Sequence, residues 1–501
     1  MNPLLKTETV YTRIERVILR ILPFVFTAIT LASIVVRITM YARVRSLWID
    51  EASLAENIVT RSFGNLISSP LAGGQTAPIL YLYVVKIIGA IFGYTEGALR
   101  VYSFFALLGV LCLTYLLLKN VYQVKKILCA YALCLVATIS IYARHSNELK
   151  PYMGDAFFVL LIFFLYHVYN NGQIKLPVLT ILYTLILLFS SPALFFVAAV
   201  YIVEFIYALI NKDRKRTLYT FISGITVLVC FICYYLVWLQ PIAESDDMVN
   251  FWEESKFNLF AFSLSGIKTN VLLLYEMLGK RVCLYLPFAI PGILISLKKK
   301  DKLTFVFVSA LFLLLVASQM GKWPLSNRLW LFMPALNVIY LAVCFDALLS
   351  RELAFFKTGS KYVVIFASFI LLAANADFIK YTGDGMYLNG EEANPLIEYV
   401  QENIKDGEYL YSFSGVNGTL QYKNGYSATK IGNVQNDNII YGGNPLDDID
   451  AIIHAKKAYI LLAHAVAGRT DLLIDALNAY GTLTPVLNAH DTPLYYWTGA
   501  E

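Results

Sequence analysis

Residues 21–41, ILPFVFTAITLASIVVRITMY, lead almost directly into residues 47–53, LWIDEAS, and the fold is read outward from this junction. The first stretch is a membrane-length apolar run, because a spanning helix needs about 20 such residues. It is too long for a cleavable signal peptide and continues into Arg43 and Arg45. The second stretch places two acids, Asp50 and Glu51, side by side at the lip of that run. A carboxylate near lipid is costly unless it is solvated, paired or used.

The rest of the chain has the same character. Its 501 residues are 58% hydrophobic and 15% charged, with a mean hydropathy of +0.61. A soluble protein would carry about 25% charged residues. The composition therefore predicts a polytopic helical protein of the membrane. The formal net charge is +5 and its cations are clustered, which argues for topology signals and against a nucleic-acid footprint. All seven cysteines lie in or beside apolar runs. Cys230 and Cys233 have redox or zinc spacing, but their place in mid-span reads as packing.

Apolar runs at 21–41, 97–118, 127–143, 153–169, 176–189, 192–210, 217–239, 281–297, 303–320, 329–349 and 361–380 predict about eleven transmembrane helices. Residues 77–93 are also apolar, and basic loops decide their role. With 77–93 kept in the interface, Lys119/Lys125/Lys126, Lys175, Lys212/Arg214/Lys215/Arg216, Lys298/Lys299/Lys300/Lys302 and Arg351/Lys357/Lys361 share one face. By the positive-inside rule that face is cytoplasmic, as is the N-terminus with Lys6, Arg13, Arg16 and Arg20. Arg37, Arg43 and Arg45 break the rule. The opposite face receives 42–96, the segment around 144–152, an acidic and aromatic loop at 240–280 (Glu244, Asp246, Asp247, Phe251, Trp252, Glu253, Glu254), 321–328 and the tail. In the first of these, Leu54, Ala55, Ile58 and Val59 oppose Glu56, Asn57, Thr60 and Arg61, as in an interfacial helix that Asp50 is placed to cap.

After about residue 385 the composition becomes that of a soluble domain. Helical patterns at 391–404, 447–456 and 471–480 alternate with strand patterns at Glu408–Phe413, Tyr459–Ala463 and Leu494–Trp497. The expected division is a transmembrane domain over 1–385 and a small extracytoplasmic α/β domain over 386–501.

Three polar clusters fall on the non-cytoplasmic face. The first is Asp50–Glu51, which also suits a helix cap and a first-turn acid. The second, YARHSNELKPYMGD (142–155), crowds Arg144, His145, Glu148, Lys150, Tyr152 and Asp155 into the mouth between two spans. Arg144 and Lys150 also suit snorkelling to headgroups, with Pro151 opening the next helix. Asp155, one turn into the span, should face protein. The third, GKWPLSNRLW (321–330), carries Lys322 and Arg328. They suit an aromatic belt with interfacial cations, or a phosphate clamp, since a guanidinium matches phosphate oxygens bidentately. A weaker element, QTAPILY (75–81), is ordinary helix-start grammar.

With these residues in view, the chain resembles the GT-C superfamily of integral-membrane glycosyltransferases. The likeness is to the bacterial branch related to protein O-mannosyltransferases and aminoarabinose transferases. It rests on Trp48-Ile-Asp50-Glu51-Ala52, Ala77-Pro78, Arg144…Glu148-Leu-Lys150-Pro-Tyr152, Ser191-Pro192, Asn327-Arg328…Pro334, and Glu392…Pro395-Leu-Ile-Glu-Tyr-Val followed by Gly407-Glu-Tyr-Leu-Tyr. The resemblance implies a polyprenyl-phosphate-linked sugar donor, inverting transfer and an extracytoplasmic site. It implies catalytic roles for Asp50 and Glu51. Substrate-binding roles are expected for Arg144, Glu148, Lys150, Tyr152, Lys322 and Arg328, with lysine at 150 where the family commonly has arginine. The expected partners are the donor, a glycan, lipid or protein acceptor, and membrane lipid. No nucleic acid, cofactor or metal is expected. Asp50 would act as general base, with polyprenyl phosphate leaving. The other classes open at this point are a transporter or flippase of lipid-linked sugars, a polysaccharide polymerase or ligase using a pyrophosphate-linked donor, and a non-catalytic subunit. The concentration of polar residues at one face, and the absence of a convincing internal repeat, favour surface chemistry over transport.

Overall fold

A computed structural model describes residues 3–243, 250–350, 360–382, 392–414, 416–420, 438–443, 445–463, 469–490 and 492–500. Glu244, Asp246, Asp247, Arg351, Lys357 and the expected boundary at 385 lie outside them. The chain forms two compact units. One contains residues 1–38, 76–81 and 102–379, and the other contains 39–75, 82–101 and 380–501.

Every apolar run is helical. In chain order the first helices are α1 (Pro3–Ala42), α2 (Ile49–Thr60), α3 (Phe63–Ser68), α4 (Ile79–Phe92), α5 (Glu96–Leu116), α6 (Lys126–Thr138), α7 (Ser140–His145), α8 (Tyr152–Asn170), α9 (Leu176–Leu187), α10 (Ala193–Ile210) and α11 (Arg214–Tyr234). Helices Leu264–Leu278, Leu286–Lys298, Lys302–Gln319, Met333–Leu349 and Ser360–Asn375 follow. Among the described residues, seven helices are long and apolar enough to cross a membrane, or eight if a pair bent by 98° between Leu278 and Val282 counts as one span. The chain is a multi-pass membrane protein. Its apolar segments between 126–138, 176–187 and 333–349 are shorter helices.

The first unit packs the helices between residues 102 and 379 around one another. Met333–Leu349 is apolar on every side and buried on nearly every side, as a central helix must be. Leu286–Lys298 lies close against it: a Cβ on Gly292 would sit 1.9 Å from the Tyr340 carbonyl oxygen. Pro334 and Pro287 stand in the first turns of the two helices, where no intrahelical N–H bond is lost. Arg37 is buried. Its guanidinium stacks over Phe378 at 4.7 Å and donates to the Ser33 carbonyl at 3.1 Å. Its departure from the positive-inside pattern therefore reflects use inside the protein.

The second unit contains a five-stranded sheet in the order β2-β1-β3-β5-β4, formed by β1 (Tyr409–Ser414), β2 (Ile439–Gly442), β3 (Lys457–Ala463), β4 (Gly481–Ala489) and β5 (Thr492–Gly499). β1 is parallel to β2 and β3, whereas β5 is antiparallel to β3 and β4. Alternating side chains divide between two cores. Leu410, Tyr459, Leu461 and Leu494 pack with Leu396, Ile397 and Val400 of the helix Asn394–Asn403. Tyr411, Phe413, Ile460, Leu462 and Trp497 pack with Ile452, Leu473 and Leu477 of helices Pro445–Ala455 and Arg469–Tyr480. The expected helices and strands are all present. β2 and β4 were not expected: β2 is four residues long, and β4 carries Pro485 at a bulge on the sheet edge.

Candidate functional site

Asp50 and Glu51 belong to the second unit, and the other six candidate residues to the first. In the second unit, α2 starts two residues earlier than its sequence pattern suggests. Trp48 is the N-cap, Asp50 is the second helical residue and Glu51 the third. Asp50 is therefore not the cap that its side chain was expected to supply. Glu51 holds the helix start by reaching back to the Trp48 N–H at 3.4 Å. The two acids differ sharply in setting. Glu51 is fully buried, whereas Asp50 is partly exposed.

Burial of Glu51 is made tolerable by two arginines. Arg100 donates through Nε to one carboxylate oxygen and through a terminal nitrogen to the other, each at 2.9 Å. Arg45 lies 2.9 Å from the same carboxylate. Arg100 also donates to the carbonyls of Arg45 (2.7 Å) and Ser46 (2.9 Å). One buried guanidinium thus ties the acid to the segment that enters α2. The fork geometry that only arginine provides makes this possible. Arg100 was missed in the sequence. The available signal was a cation one turn into an otherwise apolar run, four residues after Glu96. Arg45 appeared only as a topology exception, and its pairing with Glu51 accounts for it.

The tail completes the same scaffold. Glu392 accepts from the Ser46 N–H at 3.1 Å and from its hydroxyl, while Asn394 donates from its backbone to the Ser46 hydroxyl at 2.8 Å. The Asn394 side chain donates to Glu96 at 3.1 Å, and the Thr419 hydroxyl to the Leu47 carbonyl at 2.9 Å. Gly418 sits where a Cβ would come within 3.1 Å of the Ala52 side chain. On α2 itself Leu54, Ala55 and Ile58 are buried as expected, but Asn57 is buried too. Its amide donates to the Ser53 and Ala72 carbonyls and accepts from the Ala72 N–H at 2.9 Å, which pins the following turn to the helix.

In the first unit, the segment 142–155 and the segment 321–330 come together. The Tyr142 hydroxyl donates to the Leu331 carbonyl at 2.9 Å and accepts from the Ala335 N–H at 3.1 Å. Arg144 and His145 both reach Glu148, at 2.7 Å to separate oxygens. Glu148 and Lys150 are buried, and their carbonyls both accept from the Ser103 hydroxyl. Lys150 therefore does not snorkel, whereas Arg144 remains partly exposed. Asp155 is buried in protein, as its position one turn into α8 requires.

Arg328 has aromatic company. Its guanidinium lies 5.0 Å from the Trp252 ring, 5.8 Å from Phe251 and 6.0 Å from Tyr152. The acidic and aromatic loop thus supplies two of three rings around the candidate clamp. That loop is fixed to 318–325 by backbone donors: Phe257 N–H to the Ser318 hydroxyl, Leu259 N–H to Gln319, and Leu325 N–H to the Ser255 carbonyl. Lys322 is exposed, next to Gly321 with φ +69°. Among the described residues no group of three or more His, Cys, Asp or Glu side chains is placed to hold a metal ion.

Apolar spans and an α/β tail make this chain a polytopic helical membrane protein with a small sheet domain. Among solved structures the chain is similar to ArnT from Cupriavidus metallidurans bound to undecaprenyl phosphate. The TM-score is 0.52 at 11% identity, over 94% of this chain and 97% of that one. ArnT in the apo state gives a TM-score of 0.49 at 11% identity over the same shares. No protein-family model and no curated protein matches the sequence. At this identity the likeness is one of fold.

Proposed function

We propose that this chain is a membrane glycosyltransferase that moves a sugar from a polyprenyl-phosphate donor to an acceptor hydroxyl on the extracytoplasmic face. The observation that carries the reading is the division of labour within the acid pair. Glu51 is buried and held by Arg45 and Arg100, and the neighbouring Asp50 is left partly exposed on a fixed helix turn. An anchored acid beside an accessible one suits a base that must be held in place. The fold similarity to ArnT, whose structure is bound to undecaprenyl phosphate, supports a lipid-phosphate partner.

Asp50 takes the proton of the acceptor hydroxyl as that oxygen bonds to the anomeric carbon. The bond from that carbon to the phosphate oxygen breaks, and polyprenyl phosphate leaves with the electron pair. Attack from the side opposite the leaving group inverts the anomeric centre. Arg328, Lys322, Lys150 and Arg144 are the cations assigned to the leaving phosphate, with Glu148 and Tyr152 shaping their surroundings. The N-terminus and the basic loops are cytoplasmic, and residues 386–501 form an extracytoplasmic domain.

The test compares surface glycans by mass analysis in cells that contain the protein, lack it, or carry Asp50→Asn. Because Trp48 is the N-cap, the asparagine variant alters basicity without touching the cap. Loss of a defined sugar both without the protein and with Asp50→Asn is expected, with the variant present at normal levels. Wild-type glycans in the Asp50→Asn cells would remove the base assignment. Movement of a lipid-linked sugar across the membrane with no covalent transfer would point to a transporter.

A further inference from the structure

The turn between α10 and α11 carries Lys212, Asp213, Arg214, Lys215 and Arg216, with Lys212 in the left-handed region at φ +55°. These cations do not all do the same work. Arg216 turns inward and binds the buried Glu204 at 2.6 Å, where Lys302 also reaches the carboxylate at 2.9 Å. Asp213 is occupied as the N-cap of α11, accepting from the Arg216 N–H at 3.0 Å. The Thr217 hydroxyl donates to the Asp213 carbonyl. Lys212 and Arg214 are exposed and form no ion pair with any described residue.

Lys212 and Arg214 line a cavity of about 360 Å³. The rest of its lining is Phe205 and Leu209 from α10 and Thr217, Leu218 and Phe221 from α11. The two phenylalanine rings meet at 6.1 Å. Leu209, Leu218 and Phe221 each leave about half their surface uncovered by protein. An apolar groove that opens beside paired cations at the end of a membrane helix hairpin has the two parts of a phospholipid. The groove takes hydrocarbon, and the cations take phosphate.

We propose that this hairpin is a binding site for an anionic phospholipid of the surrounding bilayer, with an acyl chain between α10 and α11 and the headgroup on Lys212 and Arg214. Charge selects among lipids here. Two free cations and Lys215 outweigh the single Asp213 carboxylate, so a headgroup with net negative charge is favoured over a zwitterionic one. The site lies apart from the residues assigned to transfer, so it stands or falls independently of the proposed reaction.

The test places the full chain in nanodiscs of equal phosphatidylglycerol and phosphatidylcholine and measures which lipid stays bound on release, by native mass spectrometry. Retained phosphatidylglycerol should exceed phosphatidylcholine in the wild type. Lys212→Gln with Arg214→Gln should weaken phosphatidylglycerol retention by roughly fivefold for each cation removed. Leu209→Trp, which fills the groove and keeps both cations, should lower it too. Lys298→Gln, in another basic turn, should leave it unchanged. Should Leu209→Trp not elute as wild type, the paired glutamine variant decides. Equal retention of the two lipids by wild type would overturn the proposal. So would undiminished phosphatidylglycerol in the double variant.

Discussion

At the scale of single residues, adjacent acids in one motif have different settings: Glu51 is buried against Arg45 and Arg100, and Asp50 is partly exposed. Removing one partner of a buried pair leaves a charge uncompensated and costs about 3–5 kcal/mol, whereas an apolar pair of similar size is often neutral. Arg100→Met should therefore lower the unfolding temperature of the detergent-purified chain substantially. Arg100→Met combined with Glu51→Leu should recover part of that loss. Arg45 keeps a partial claim on Glu51, so the recovery should be incomplete. Equal melting of the single variant and wild type would mean that the clamp has no energetic weight. A different residue-scale expectation concerns Arg328. Arg328→Lys keeps the charge and loses the fork, and its ammonium is a poorer match to the rings at Trp252, Phe251 and Tyr152. Loss of one charge-assisted contact to the leaving phosphate costs roughly 10²–10³ in rate. Transfer should fall in the order wild type, Arg328→Lys, Arg328→Ala, and EDTA should change none of the three. Restoration by manganese after EDTA would instead assign the acid pair to a metal. A silent Arg328→Ala alongside a damaging Lys150→Ala would move the clamp to the segment 142–155.

At the scale of elements, what could be read from the chain depended on how local the signal was. Helices and central strands announce themselves by periodicity, so the runs from 21 to 380 and the strands β1, β3 and β5 were legible. β4 was hidden because Pro485 demotes any strand pattern, and only its edge position and bulge make that proline acceptable. The N-cap of α2 was misplaced because aspartate is a strong capping residue and tryptophan is not. The interaction that buries Glu51 comes largely from Arg100, 49 residues on and in another helix. For the same reason, the aromatic surround of Arg328 could not be read from either loop alone. Close helix approach is another property that only pairing reveals. Gly292 meets the backbone of Tyr340 with no room for a Cβ, as small residues do where membrane helices touch. Gly292→Ala must push Leu286–Lys298 away from Met333–Leu349 and should destabilise by about 1–3 kcal/mol, typical of overpacking. Gly443, which has open space around its Cβ direction, provides the contrast: Gly443→Ala should be nearly silent in the same melting experiment.

At the scale of the molecule, the hydrogen bonds of the second unit bear on how the chain is threaded. Asn394 bonds both Ser46, which precedes α4, and Glu96, which follows it. The Tyr41 hydroxyl likewise reaches the Gly97 carbonyl at 2.6 Å. Residues before and after Ile79–Phe92 therefore meet one another and the tail, which requires that they share one side of the membrane. A helix of 14 residues is about 21 Å long, short of a hydrocarbon layer of about 30 Å, so such a return is physically natural. This is the arrangement under which the short basic loops at 119–126, 175, 212–216 and 298–302 fall on a common face. By the positive-inside rule the expectation is that this face is cytoplasmic and that the acid pair and the α/β domain lie outside. The prediction can be checked in intact cells with a membrane-impermeant thiol reagent, in a background without the seven native cysteines. Asp475→Cys, exposed on the helix Arg469–Tyr480, should be labelled at once. Lys298→Cys, exposed at the end of Leu286–Lys298, should be labelled only after permeabilisation. The reverse pattern would put Asp50 in the cytoplasm, where the proposed extracytoplasmic transfer could not occur. Labelling of both sites in intact cells would mean that the positive-inside reading fails within the bundle, between α8 and the helix Lys302–Gln319.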